Sequence, residues 1–240
     1  MKRRDFIERS LATIPFVASL PDIEPQTLSM DQPSLVINAG IGGNNTRDLL
    51  ARIEKDCLQH NPDLTILMVG TNDMNSMKHV PLEEYTSNYQ TLVEKLLKIK
   101  SKILVMSILP VYEPYLFTRH PVQFYAPDGP ALRRSKVNEV IHRISEQKNL
   151  SFLDMHHIFE KTGEIGLSAM SLLKNEINSG KTDGVHPTAD GYRVMAVAVY
   201  QYITLKGLPH NKVVCFGDSI TMGDADGQNY PTYLQKLLNS

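Results

Sequence analysis

Val213–Ile220 reads VVCFGDSI, close to the end of a 240-residue chain. The apolar run Val213–Phe216, rich in β-branched residues, breaks at Gly217, and Asp218 and Ser219 follow at once. Beyond it, Tyr230-Pro231 leads into a helical pattern with Leu234, Leu237 and Leu238 on one side. A strand that stops at a glycine and turns sharply into a helix lifts a serine hydroxyl to the carboxyl edge of a sheet. The same turn aims backbone N–H groups at that point. The partners of Ser219 are expected from the other segments, which all precede it in sequence.

Those segments alternate. Leu35–Asn38 is a short apolar strand running into the glycine-rich turn 39–43. Thr46 stands where a helix N-cap belongs, with Asp48 behind it, and Leu49, Leu50, Ile53 and Cys57 form a helical stripe. Residues 64–69 (LTILMV) are almost continuously apolar, as in a strand covered on both faces, and end in Gly70-Thr71-Asn72-Asp73. Pro81 can open the next helix at its first position, and the strands 103–109 and 150–153 each follow a further helix. Between Pro110 and Pro130 lies an aromatic stretch with little periodicity, able either to rim a pocket or to pack over the sheet. Asp183-Gly184-Val185-His186-Pro187 precedes a helix capped by Thr188. Strand and helix alternating five times predict a parallel sheet with helices on both faces, its functional residues in loops at the carboxyl ends.

Composition bounds the rest. The length suits one α/β domain, residues 34–240. The 25 basic and 26 acidic residues nearly cancel, which argues against a broad nucleic-acid footprint. The two cysteines, Cys57 and Cys215, lack metal-ligand spacing and read as small buried hydrophobes. Lys2-Arg3-Arg4-Asp5-Phe6 followed by the apolar run 11–20 resembles a twin-arginine export signal, and residues 21–33 read as a linker. The alternatives are an amphipathic helix packed on the domain and a cytoplasmic protein. The run is too short to span a bilayer, so no stable membrane insertion is expected.

Five loop residues can carry chemistry together: Gly43, Asn72, Asp183, His186 and Ser219. Taken singly, each has a plain structural use in a turn or a cap. Together, His186 can take the proton from Ser219, and Asp183 can hold the imidazole in the right tautomer. The Ser219 and Gly43 N–H groups and the Asn72 amide can face an oxyanion. His156 and His157 lack a clear ligand set, so neither metal nor cofactor is expected.

Gly217-Asp218-Ser219-Ile220-Thr221 resembles the nucleophile block of the SGNH (GDSL-like) hydrolases. Residues 38–44 (NAGIGGN) resemble the glycine block, Gly70-Thr71-Asn72-Asp73 the asparagine block, and Asp183-Gly184-Val185-His186-Pro187 the Asp-x-x-His block. The resemblance implies a flavodoxin-like three-layer α/β/α fold and metal-free hydrolysis of esters or thioesters. The family's serine block ordinarily comes first, whereas here it comes last, as in a circular permutation. The expected sheet order is therefore 35–38, 213–216, 64–69, 103–109, 150–153, closed within one chain. A swapped dimer and a piece of a tandem that retains the start of a second copy are the other readings of the block order. The function expected is a serine esterase acting on small acyl esters, acetyl among them, on a small molecule or a carbohydrate. A lysophospholipase- or thioesterase-like hydrolase, an acyltransferase and a non-catalytic binding protein are the alternatives.

Overall fold

The computed structural model describes residues 33–240, so the export-signal reading and all but the last residue of the linker lie outside it. Five parallel strands form one sheet: β1 (Leu35–Gly40), β2 (Leu64–Met68), β3 (Lys102–Met106), β4 (Ser151–Leu153) and β5 (Lys212–Gly217). Their order is β1-β5-β2-β3-β4, the expected one. The last strand of the chain thus lies between the first two, with Asn38 opposite Cys215 on one side and Ile66 opposite Cys215 on the other.

The pattern of β5 shows why it belongs there. Val213, Val214, Cys215 and Phe216 are all fully buried. Val214 and Phe216 join one core with α1 (Thr46–Asp56), α2 (Leu82–Lys98) and α4 (Gly129–Gln147). Val213 and Cys215 join the other, with α5 (Met155–Thr162), α7 (Ala189–Lys206) and α9 (Tyr230–Leu238). Three short α-helices, α3 (Glu113–Leu116), α6 (Glu176–Ser179) and α8 (Ser219–Met222), and two 3-10 turns, Leu58–His60 and Val122–Tyr125, complete the elements among the described residues. An apolar side chain buried on either face contributes about 1.5–3 kcal/mol, which only a strand covered on both sides collects at every position. Cys57 and Cys215 are both buried free thiols in these cores.

The start and end of the described chain are stitched together. The Ser34 N–H donates to Asn239 Oδ1 at 2.7 Å, and the side-chain amides of Gln235 and Asn239 both donate to the Ser34 carbonyl. The seven-residue link 206–212 joins α7 to β5. Gly207 ends α7 in the left-handed conformation, at φ +59°, and β5 begins at Lys212.

Some boundaries differ from the sequence reading. Asn45, not Thr46, caps α1, in a reciprocal capping box with Asp48. Thr46 is the first helical residue, and its hydroxyl and N–H both donate to Asp73 Oδ1. Pro81 sits just before α2 rather than inside it, and β3 stops at Met106, short of 109. Part of the aromatic stretch packs over the fold: Val111, Leu116 and Tyr125 bury themselves against Val185. Among the described residues no helix is long and apolar enough to cross a membrane.

Candidate active site

At the carboxyl edge, β5 ends in Gly217 because a side chain would not fit. A Cβ there would stand 2.2 Å from Thr221 Oγ1 and 2.5 Å from the Met68 carbonyl oxygen. Asp218 caps α8, its carboxylate accepting from the Ile220 N–H at 2.9 Å, so Ser219 is the first helical residue and not the cap. Its N–H is one of the donors a helix start leaves without an intrahelical partner. Burial pushes the Asp218 carboxyl up to about 6, against the pull of the Ile220 N–H and of nearby His186.

The Asp-x-x-His loop meets this elbow. Ser219 Oγ lies 2.9 Å from His186 Nε2, and His186 Nδ1 lies 2.9 and 3.1 Å from the two oxygens of Asp183. Asp183 Oδ1 also accepts from the Val185 and His186 N–H groups, at 2.9 and 2.7 Å. Burial works to raise the Asp183 carboxyl, yet the bond to His186, its charge and these two N–H donors hold it far below the usual carboxylate range. An anionic Asp183 that accepts at Nδ1 fixes the tautomer with Nε2 free to take a proton from Ser219.

The glycine and asparagine blocks come in from β1 and β2. Gly43 stands at φ +74°, and a Cβ there would touch nothing within 4 Å. The positive φ, rather than crowding, is what calls for glycine. Among the described residues neither the Gly43 nor the Ser219 N–H donates to another group. The Asn72 side-chain amide donates one hydrogen to the Asn44 carbonyl at 2.8 Å, which orients its second. Of the five sequence-predicted residues, Gly43, Asn72, Asp183 and His186 sit on loops and Ser219 opens α8, all beyond the carboxyl ends of strands or in the Asp-x-x-His loop that meets them.

Other residues hold these loops, and the sequence reading missed them. Asp73, 1 % exposed, ties the asparagine block to the start of α1 through Thr46, and its Oδ2 has no partner. Burial pushes its carboxyl up to about 6 despite the Thr46 bonds. Arg119 donates to the Asp183 carbonyl at 2.6 Å, and the Tyr112 N–H to the Gly184 carbonyl at 2.8 Å. Lys174 exchanges backbone bonds with Gly184 and His186, and its ammonium grips both oxygens of Asp224, in the loop after α8. The one sequence signal for Asp73 was its place in the Gly-Thr-Asn-Asp run; the basic residues carried none.

The model of the GDSL-like lipase/acylhydrolase family matches residues 17–194, which take in the glycine, asparagine and Asp-x-x-His blocks and stop before Ser219. An acetylxylan esterase of Geobacillus stearothermophilus is 29% identical over 177 residues, 70% of this chain and 71% of that protein. An uncharacterized lipoprotein of Bacillus subtilis is 26% identical over 174 residues, 67% of this chain and 70% of its own length. The crystal structure of a catalytic mutant of the Geobacillus esterase superposes with a TM-score of 0.52 at 26% identity, covering 68% of this chain and 69% of that one. The chain belongs to the GDSL-like lipase/acylhydrolase family and is a hydrolase of ester bonds.

Proposed function

We propose that this enzyme is a serine esterase that removes small acyl groups, acetyl above all, from carbohydrate. The observation that carries the mechanism is the unbroken Ser219–His186–Asp183 chain, with both links at 2.9 Å. Ser219 Oγ attacks the ester carbonyl carbon as His186 Nε2 takes its proton. The resulting oxyanion is met by the Ser219 and Gly43 N–H groups and the free hydrogen of the Asn72 amide. His186 then protonates the departing alkoxide, and a water deprotonated by the same imidazole releases the acid from the acyl-enzyme.

The acetyl-carbohydrate reading rests on a relative named as an acetylxylan esterase. Export, supported by the Arg3-Arg4 motif and by a relative named as a lipoprotein, suits a polymeric substrate outside the cell. The family match that ends before Ser219 supports a permuted order of the blocks, since a model read in chain order must lose the segment that moved.

Replacing Ser219 by alanine tests the mechanism. S219A should keep the parental thermal melt and lose at least ~1000-fold in kcat on p-nitrophenyl acetate and on acetylated xylo-oligosaccharide. Parental turnover in a folded S219A would refute Ser219 as the nucleophile.

A further inference from the structure

The two backbone donors proposed for the oxyanion, the Ser219 and Gly43 N–H groups, come from segments about 175 residues apart in sequence. Their separation must be fixed by something other than the chain. The β1–β5 pairing ends with Gly40 opposite Gly217 and the Ile41 N–H donating to the Gly217 carbonyl at 3.2 Å, so it reaches neither donor.

Arg52, in the middle of α1, bridges the gap. Its Nε donates to Asn44 Oδ1 at 2.6 Å, beside Gly43. Its Nη1 donates to the Ala39 carbonyl at 3.0 Å, at the end of β1, and to Asp56 at 3.0 Å. Its Nη2 donates to the Gly217 carbonyl at 2.7 Å, two residues before Ser219. The guanidinium lies 4.6 Å from the centre of the buried Phe216 ring, and the side chain is only 13% exposed. Every nitrogen of the fork is therefore used, on two strand ends, one loop and Asp56 of its own helix.

We infer that Arg52 is a positioning residue that sets the spacing of the Gly43 and Ser219 N–H donors by tying the glycine loop to the nucleophile strand. The inference rests on the oxyanion reading above. A planar fork with fixed donor directions can hold three acceptors at set angles; an ammonium on a flexible stem cannot. A donor displaced from the oxyanion's place weakens the transition state and leaves ground-state binding nearly alone, so the loss belongs in kcat and not in KM.

The test compares R52M, R52K and R52A with the parent and with S219A. R52M should lose roughly 100-fold in kcat, with KM within about threefold of the parent, the size of losing one oxyanion donor. R52K, which keeps charge and bulk and hence the fold, should recover only part of this. Guanidinium at sub-denaturing concentration should raise kcat of R52A without raising its melting temperature, which a merely structural role does not predict. A folded R52K or R52M with parental kcat, in an enzyme that S219A silences, overturns the proposal. If S219A instead turns over like the parent, the site reading falls. The amide shifts of Gly43 and Ser219 then decide the proposal: moved in R52K they support it, unmoved they overturn it.

Discussion

At the scale of single residues, three buried or half-buried carboxylates within one site carry opposite burdens. Asp183 is surrounded by donors and stays anionic far below its ordinary range. Asp73 and Asp218 are more deeply buried with fewer donors, and each carboxyl rises from 3.8 to about 6. An acid whose folded value is raised binds protons that the unfolded chain has already released between about pH 4 and pH 6. Its contribution to stability is present below about pH 4 and is lost as pH rises through 6. Asp183 has the reverse sign: its contribution is present above about pH 4 and fades only in stronger acid. D73N isolates one arm of this balance. Its amide oxygen can still accept from Thr46, and it carries no charge at any pH. The melting temperature of D73N minus that of the parent should therefore climb between pH 4.5 and 7.5; a flat difference would show that Asp73 is not held protonated. Ser219, His186 and Asp183 were legible in the sequence because the chemistry proposed for them demands those side chains. The raised Asp73 was not, because it follows from tertiary burial and from an Oδ2 that finds no donor.

Elements place those residues, and here a short antiparallel contact matters more than any helix. Leu173 bridges to Pro187, and Leu172 and Lys174 exchange backbone bonds with Thr188, His186 and Gly184, so residues 172–174 form a splint along the acid–base loop. The Lys174–Asp224 pair carries the splint across to the loop after the nucleophile. Its two ends are unequally wet: the Lys174 side chain is 9% exposed and that of Asp224 33%. Removing Asp224 strands a buried ammonium, whereas removing the ammonium leaves a carboxylate that water can reach. D224A should therefore cost about 3 kcal/mol in urea unfolding and K174M roughly half of that. Equal costs would mean that the pair contributes by charge alone. The alternation of strand and helix was legible because burial on two faces writes apolar runs and 3.6-residue stripes into the chain. The splint was not, because two irregular segments paired through backbone groups leave no side-chain signature. The cap of α1 slipped by one residue for a related reason. Asn45 and Thr46 are both competent caps, and the distant Asp73 claimed Thr46.

For the whole molecule, the question is whether chain order matters to a sheet that is already closed. β5 is central and makes parallel ladders with both β1 and β2, although its partners lie 177 residues away in β1 (Leu35 opposite Lys212) and 149 away in β2 (Leu64 opposite Val213). Contacts that distant cost loop entropy in folding, but the entropy of closure grows only slowly with loop length. The order of the pieces is thus nearly free, provided that the ends meet. They do: Ser34 and Asn239 are joined by direct hydrogen bonds at the same edge of β1. If the present order is a circular permutation, undoing it should preserve the enzyme. A chain that begins near His210, runs through α9, crosses a short glycine linker to residue 34 and ends near Lys206 should fold as a monomer with parental ester turnover. The new ends fall in the exposed link after α7, where few contacts cross apart from that of His210 Nδ1 with the Ser34 hydroxyl at 2.9 Å. Removing residues 212–240 altogether should instead leave no cooperative melt, since both neighbours of β5 lose a ladder and two core faces open. Two results would sink this account: a relinked chain that aggregates while the truncated one stays folded, or a relinked chain active only as a dimer. Either would place 212–240 outside the sheet of its own chain.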